Sequence, residues 1–120
     1  MTSVPFVFCD VRSRDVERSR AFYSNLFGWQ VADVDAGGKT IPFLTDGGAP
    51  WGGFTELGPA DERQPAWVPY VPVADVDKAA AEAVELGATI VRPRMELPQG
   101  SLVAITEPGG ATLCLWQDRG

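Results

Sequence analysis

The sequence predicts an α+β fold made of two tandem β-α-β-β-β modules. A short apolar strand, an Asp-Val pair, a helix and a glycine occur in the same order in each half of the 120-residue chain. Aligning Asp15 with Asp75 superimposes Phe8 on Val68. Self-similarity at a period of about sixty residues implies two copies of one supersecondary unit.

The composition supports one globular domain. Apolar residues make up 45% of the chain and charged residues 22%, which is typical of a folded protein of this length. We take residues 1–120 as a single domain, with module one at about 4–57 and module two at about 66–117. The segment at about 58–65 is rich in Gly, Pro and charged residues, so it is predicted to be the linker.

The charge and the missing residue types exclude several functions. A net charge of −6 argues against a nucleic-acid partner, because the phosphates would be repelled. No apolar run reaches the roughly 18 residues of a membrane helix, and the N-terminus lacks the pattern of a secretory signal. We therefore expect a cytoplasmic protein with no membrane partner. Since the chain contains no histidine, the commonest metal ligand and general base is missing.

Module one begins with a strand predicted at Val4–Val11, where β-branched and aromatic residues are frequent. Asp15 is expected to cap a helix that ends at Gly28. The helical spacing predicts a buried stripe of five residues, Val16, Phe22, Tyr23, Leu26 and Phe27. Three strands complete the module, at Trp29–Val34, Thr40–Thr45 and Trp51–Leu57, with a hairpin turn at Gly37-Gly38.

Module two repeats this order. A strand predicted at Trp67–Val73 leads into a helix at Val76–Leu86. Three further strands are predicted at Thr89–Arg94, Ser101–Thr106 and Ala111–Trp116. The tetrapeptide Glu107-Pro108-Gly109-Gly110 is predicted to form the tight turn before the last strand.

The two modules carry sequence motifs of a known superfamily. These are Asp15-Val16-Glu17-Arg18-Ser19, Ala21-Phe22-Tyr23, Leu26-Phe27-Gly28-Trp29, Val73-Ala74-Asp75-Val76-Asp77, Leu86-Gly87-Ala88, and Glu107-Pro108-Gly109-Gly110 before Leu113-Cys114-Leu115-Trp116. In this order they resemble the vicinal oxygen chelate superfamily, which includes glyoxalase I, the bleomycin resistance proteins and the extradiol dioxygenases. The resemblance implies a mixed β-sheet that curls into a half-open cup with the helices outside, and a pairing of two chains as a homodimer.

The resemblance also implies where metal-using members hold their ion. Three of those positions fall on Phe8, Val68 and Cys114, and the fourth falls loosely within 53–56. Neither Phe8 nor Val68 can bind a metal, and protein metal sites normally have three or four ligands. We therefore predict no metal and no other cofactor.

The strand alternation predicts which residues line the cup. The expected lining from the first, fifth and last of the eight strands is Phe6, Phe8, Asp10, Val68, Tyr70, Pro72, Thr112, Cys114 and Trp116. Phe43, Trp51 and Phe54 are added as further candidates for the lining. Flat aromatic side chains with few polar groups are typical of a small-molecule pocket. The alternative is that these aromatics only pack a core.

Asp10 and Glu56 each have a structural and a functional interpretation, and Cys114 has a structural one. Asp10 is either solvated at the strand end or placed to receive a cationic or hydroxyl group, and Arg12 is a candidate internal partner. Glu56 is either a surface charge or a carboxylate in the cup. Cys114 is predicted to be a small apolar filler, because no histidine is present to activate its thiol.

Three functions remain open at this point. The first is a metal-free binding protein that holds an aromatic or cationic small molecule, as the resemblance to the bleomycin resistance branch implies, for drug sequestration or self-resistance. The second is an enzyme of lyase or isomerase type, with a relocated metal or with acid–base chemistry on Asp10, Tyr70 or Glu56. The third is a module that acts only as a dimer or as a partner subunit.

Overall fold

The computed structural model describes residues 4–36 and 38–119. These residues form β1 (Phe8–Ser13), α1 (Val16–Phe27), β2 (Gln30–Ala36), β3 (Lys39–Thr45), β4 (Gly52–Glu56), β5 (Ala66–Pro72), α2 (Val76–Glu85), β6 (Thr89–Leu97), β7 (Gly100–Thr106) and β8 (Thr112–Asp118). The order β-α-β-β-β therefore occurs twice, which confirms the α+β class and the duplication. The chain divides into two compact units, residues 8–68 (the N-terminal unit) and residues 4–7 with 69–119 (the C-terminal unit).

In the N-terminal unit, four strands follow one another in the order β2-β3-β4-β1. β1 runs parallel to β4, and the other neighbouring strands are antiparallel. Helix α1 covers one face of these strands, where Val11, Val16, Leu44 and Phe54 form the buried core. The side chains of β1 that alternate with Val11 therefore lie on the opposite face.

The C-terminal unit has the strand order β5-β8-β7-β6. β5 is parallel to β8, as β1 is to β4 in the other unit. The buried core between α2 and these strands consists of Val76, Ala80, Val103, Ile105 and Leu115. The order and pairing of the two units are thus the same, which is the result expected from a duplicated module.

Both helices begin as the sequence predicts. The Asp15 carboxylate accepts a hydrogen bond from the backbone N–H of Arg18, and Asp75 does the same for Lys78, each at 3.1 Å. Gly28 ends α1 in the left-handed conformation, at φ 74°. Only glycine adopts that conformation without strain, so the predicted helix end is confirmed.

The buried stripe predicted for α1 is wrong in three of its five residues. Phe22, Leu26 and Phe27 are 57%, 59% and 55% exposed, whereas Val16 is buried and Tyr23 packs at the edge of the core. At 3.6 residues per turn, Phe22 lies about 120° around the helix from Val16, so the two cannot both face the sheet. Phe22 therefore lies outside the stripe that the sheet covers, whereas Phe27 is nearly in line with Val16 and is exposed at the end of the helix.

The strand boundaries differ from the predictions mainly at the ends. β1 begins at Phe8 instead of Val4, and β6 extends to Leu97. Of the predicted hairpin turn, Gly38 has a φ of 87°, and Gly37 lies outside the described residues. Neither helix in the described part of the chain is long and apolar enough to cross a membrane.

Candidate functional site

The face of the N-terminal unit turned away from α1 carries an aromatic pair over a glycine. The rings of Phe8 and Phe43 meet edge to face with their centroids 6.2 Å apart. A Cβ atom added to Gly53 would lie 3.1 Å from Phe8 Cζ and 3.4 Å from Phe43 Cδ1. The missing side chain of Gly53 therefore makes room for both rings to pack across β4.

Asp10 lies next to this aromatic pair on the same face of β1. Its Oδ2 atom accepts a hydrogen bond from the Thr55 hydroxyl at 2.8 Å. Burial raises the pKa of Asp10, and the Thr55 hydrogen bond and the charges of Arg12 and Arg63 oppose that rise. The partner role that the sequence suggests for Arg12 is thus electrostatic, while the direct hydrogen bond comes from Thr55.

Two arginines, Arg12 and Arg63, lie near enough to Asp10 for their charges to act on its carboxyl group. Arg63 is held by Asp61, whose carboxylate accepts hydrogen bonds from Nε and Nη2 at 3.0 and 2.6 Å. Arg12 is half-buried and forms no hydrogen bond or ion pair with any residue that the structure describes. Its guanidinium can therefore donate hydrogen bonds to an oxygen atom of a ligand. The nearby Asp10 carboxylate can accept hydrogen bonds from the same ligand.

In the C-terminal unit, the face turned away from α2 is aromatic at the corresponding place. The rings of Tyr70 and Trp116 are 6.0 Å apart and tilted by 40°. Tyr70 is in register with Cys114, which is buried. The predicted role of Cys114 as an apolar filler requires such burial. Thr112 lies two residues before Cys114 on β8. Its hydroxyl and that of Thr106 are joined by a hydrogen bond of 3.2 Å.

The two registers identify the equivalent positions of the modules. Asp10 pairs with Gly53 in the first parallel strand pair, and Tyr70 pairs with Cys114 in the second. Gly53 is therefore the equivalent of Cys114, which fixes the fourth ligand position that the sequence left within 53–56. By the same alignment, the polar pair Asp10–Thr55 corresponds to the aromatic pair Tyr70–Trp116.

These four positions do not fit a metal ion. Phe8, Gly53 and Val68 have no side-chain donor atom, and Cys114 alone offers a thiol. Within residues 4–36 and 38–119, no group of three or more His, Cys, Asp or Glu side chains could hold an ion. A divalent cation needs three or four protein ligands, so the donor set at these positions is insufficient.

Two residues of the predicted lining lie elsewhere. Phe54 is 5% exposed and packs in the core beneath α1, because it lies on the face of β4 opposite to the one predicted. Trp51 precedes β4 and packs against the same core. Phe6 precedes β1 and is 41% exposed, and its place in the lining stays a prediction. Glu56 is not a carboxylate of the candidate face, since its Oε1 accepts a hydrogen bond from Val16 N–H at the start of α1.

The other predicted residues lie on the faces opposite the helices or, in the case of Val68, in the interior. Phe8, Asp10 and Phe43 lie on the face opposite α1. Tyr70, Pro72, Thr112, Cys114 and Trp116 lie on the face opposite α2, and Val68 is almost fully buried. Thr55 and Gly53 were missed, although correct alternation from Phe54 identifies both. Arg63 lies in the linker, and no sequence signal pointed to it.

Two cavities lie on the other side of the N-terminal unit. One of about 540 Å³ is lined by Val16, Arg20 and Phe54, among others, between α1 and the β2–β3 hairpin. A second of about 260 Å³ lies between Ser19, Tyr23 and Trp67. Neither is lined by Asp10 or Phe8, but Arg12 contributes to the lining of the second cavity.

The model of one protein family matches residues 6–115, which is nearly the whole chain. It describes the Glyoxalase/Bleomycin resistance protein/Dioxygenase superfamily. The chain belongs to this superfamily. The resemblance drawn from its sequence motifs is thereby confirmed.

Curated relatives within this superfamily are considerably longer. "Putative glyoxylase CFP32" of Mycobacterium tuberculosis is 30% identical over 113 residues, which cover 90% of this chain and 43% of that protein. "Anthracycline biosynthesis protein DnrV" of Streptomyces peucetius is 32% identical over 93 residues, which cover 78% of this chain and 34% of that protein. The chain thus spans less than half the length of these relatives.

Solved structures of superfamily members share the fold. A methylmalonyl-CoA epimerase from Mycobacterium tuberculosis matches with a TM-score of 0.61 and 14% identity, covering 100% of this chain and 94% of that one. The Mn(II)-bound glyoxalase from Novosphingobium aromaticivorans matches with a TM-score of 0.66 and 18% identity, covering 95% and 38%. At these identities the likeness establishes the fold alone.

Proposed function

We propose that this protein binds a flat aromatic small molecule on the sheet face of the N-terminal unit, at the positions where metal-using members of the superfamily hold their ion. The observation that carries the proposal is the replacement at the ligand positions of module one. Phe8 stands at one such position and packs over Gly53 at the other. Ring faces and edges attract other flat rings, so an aromatic pair takes the place of the ion's ligands.

The polar groups on this face determine which substituents the ligand must carry. The Asp10 carboxylate accepts a hydrogen bond from Thr55 through one oxygen, which leaves lone pairs for a hydroxyl or ammonium donor. Arg12 can donate to a carbonyl oxygen. The proposed ligand is therefore an aromatic compound that carries a hydroxyl or amine group near a carbonyl.

Two relatives are named after a class of aromatic compounds that carry such polar groups. The DnrV protein of Streptomyces peucetius and the related DauV protein of Streptomyces sp. strain C5 are named anthracycline biosynthesis proteins. Anthracyclines have a flat polycyclic hydroxyquinone and a cationic amino sugar. The net charge of −6 favours the approach of such a cation. We infer a role in sequestration or self-resistance, as in the bleomycin resistance branch.

A binding titration tests this proposal with doxorubicin as the probe. We expect saturable binding to the wild type and a loss of at least about tenfold in affinity, or 1.4 kcal/mol, in Phe8→Ala. Leu86→Ala is the matched control, because Leu86 is 80% exposed and lies on neither face. Binding that is equal in wild type and Phe8→Ala, or absent from both, would refute the proposal.

An enzymatic function is the second candidate, and Asp10 is the observation that favours it. Burial raises the pKa of the Asp10 carboxyl group, so it holds its proton more tightly than an exposed aspartate does, and such groups occur at sites of proton transfer. The enzyme would use Asp10 as general acid or base without a metal. Turnover of a glyoxalase substrate that disappears in Asp10→Asn, while doxorubicin still binds, would support this candidate over simple sequestration.

A further inference from the structure

The smaller cavity of the N-terminal unit, of about 260 Å³, lies on the α1 side of the sheet and is not the site of the proposed binding function. Val11 and Ser13 line it from β1 and are 4% and 7% exposed. Ser19 and Tyr23 line it from α1, where a spacing of four residues places both on one face of the helix. Trp67 lines it from β5. We call this space the α1–β1 cavity.

The two serines of the α1–β1 cavity have a hydroxyl hydrogen that no described residue accepts. Their Oγ atoms are 2.6 Å apart, so one of the two hydroxyl hydrogens lies in the bond between them. Ser13 Oγ also accepts a hydrogen bond from Asp15 N–H at 3.0 Å. Within residues 4–36 and 38–119, neither hydroxyl has a further acceptor. The second hydrogen can therefore be donated to a ligand in the cavity.

Tyr23 and Arg12 add further donors to the same cavity. The Tyr23 hydroxyl accepts a hydrogen bond from the Trp67 indole N–H at 3.0 Å, and its own hydrogen has no acceptor among the described residues. Arg12 contributes to the lining and has several N–H donors. No Asp or Glu of the described part of the chain lines this cavity. Its polar groups can thus donate to a ligand without competition from a carboxylate in the lining.

We propose that the α1–β1 cavity binds a small aromatic carboxylate. A guanidinium and hydroxyl groups are the donors that bind a carboxylate most strongly, because the acceptor is charged. The ring of the ligand packs against Tyr23 and Trp67, whose own rings meet edge to face with their centroids 5.3 Å apart. Val11 adds an apolar contact to that wall.

The volume of the α1–β1 cavity limits the ligand to one ring. An apolar cavity of about 150 Å³ is enough to hold benzene. The 260 Å³ of this cavity therefore accommodate one ring together with a carboxylate group. Drug-sized ligands occupy sites of about 300 Å³ or more, so a polycyclic compound such as doxorubicin is too large. The inference is therefore independent of the proposed function, because the two sites select ligands of different size and charge.

Calorimetric titration of sodium benzoate into the full chain tests this inference. We expect saturable binding with a Kd below about 1 mM. Benzamide has the shape of benzoate without its charge, and acetate has the charge without the ring. Each should bind at least about tenfold more weakly than benzoate. Benzamide or acetate binding as tightly as benzoate would overturn the proposed class of ligand.

Ser19→Asp tests whether benzoate occupies this cavity. The variant places a negative charge among the donors and should abolish benzoate binding. Asn25→Asp is the matched control, because it adds the same charge at an exposed position of α1 outside the lining and should bind as the wild type does. If Ser19→Asp loses its far-UV circular dichroism, Tyr23→Phe keeps the ring and removes one donor, and should weaken binding by about fivefold.

Phe8→Ala separates this cavity from the candidate face, since Arg12 lies near both. Phe8 is on the face opposite α1, so Phe8→Ala should bind benzoate with unchanged affinity, and Ser19→Asp should bind doxorubicin as the wild type does. Benzoate binding that is lost in Phe8→Ala and retained in Ser19→Asp would overturn the inference. A wild type that does not bind benzoate would overturn it as well, whatever the result with doxorubicin.

Discussion

The carboxylate of Asp10 accepts a hydrogen bond from the hydroxyl of Thr55 across 2.8 Å, on the sheet face turned away from α1. The equivalent pair in the second module is Tyr70 and Trp116, two rings 6.0 Å apart. The duplicated scaffold has therefore diverged at this pair of positions, which is polar in the N-terminal unit and aromatic in the C-terminal unit. In the N-terminal unit the polar pair lies on the same face as the Phe8–Phe43 rings, and the proposed recognition of an aromatic ligand with polar substituents rests on that unit.

The burial of Asp10 predicts a specific pH dependence of stability. A raised pKa means that the folded state holds the Asp10 proton more tightly than the unfolded chain does. The contribution of Asp10 to stability is therefore complete below its ordinary pKa of 3.8 and is lost as the pH rises through the raised value. Asp10→Asn avoids this loss, so it should gain stability relative to wild type at neutral pH, but not below pH 3.8.

Urea unfolding of both proteins across this pH range measures the difference. Thr55→Val removes the hydrogen bond that opposes the rise of the pKa, so the pH dependence should be steeper in that variant than in wild type. A stability difference between wild type and Asp10→Asn that does not change with pH would show that burial does not control this carboxyl group.

Gly100 determines where Trp116 lies. A Cβ atom at Gly100 would collide with the backbone carbonyl of Gln117 and lie 2.7 Å from Trp116 Cζ2. Gly100→Ala should therefore destabilise the protein by about 1–3 kcal/mol and displace the Trp116 ring. Thermal unfolding and tryptophan fluorescence check both effects. Gly58→Ala is the control, because its Cβ would meet no atom within 4 Å and stability should be retained.

Side chains from the last strand of each module stabilise the start of its helix. The Gln117 Oε1 atom accepts a hydrogen bond from Val76 N–H at 2.8 Å, as Glu56 does from Val16 N–H. Gln117→Ala leaves that N–H without a partner and should lower the free energy of unfolding by about 0.5–2 kcal/mol. Gln99→Ala is a matched substitution at an exposed turn and should have little effect. Equal losses in the two variants would contradict the capping role.

The contribution of Glu96 to stability should change with pH in the direction opposite to that of Asp10. Hydrogen bonds from Arg94, Ser101 and Arg119 lower its pKa from 4.5 to about 2. A lowered pKa stabilises the folded state above the ordinary value, and this contribution is lost as the pH falls from 4.5 to about 2.

Glu96→Gln lacks this contribution at every pH, so wild type and variant should converge in melting temperature on acidification. The difference should also shrink at high salt, because these groups are solvent-exposed. Glu82→Gln is the control on the exposed surface of α2. If the Glu96→Gln difference grew on acidification, the assigned pKa shift would be wrong.

The order of the elements and the helix ends could be predicted because their signals are local. Asp15 and Asp75 cap the helices within one turn, and Gly28 supplies the left-handed residue that ends α1. These contacts depend on a few neighbouring residues and not on the rest of the chain. The repeat then assigned the strands of one module by comparison with the other.

The facing of β4 and of α1 could not be predicted, for two physical reasons. β4 begins with Gly52 and Gly53, which have no side chain to mark inside and outside, so Phe54 was placed on the wrong face. In α1, Phe22 lies outside the stripe that the sheet covers. Periodicity alone does not say which of Phe22 and Tyr23 faces inward, since only tertiary packing decides it.

The proposed aromatic ligand binds at positions where other superfamily members hold a metal, and its binding should need no metal ion. Calorimetric titration of doxorubicin into protein that has been treated with EDTA and then freed of it tests this directly. We expect saturable binding with the same affinity, within about twofold, as in untreated protein. Binding that EDTA abolishes, and that returns when the protein is reloaded with Mn²⁺ and excess ion is removed, would contradict it.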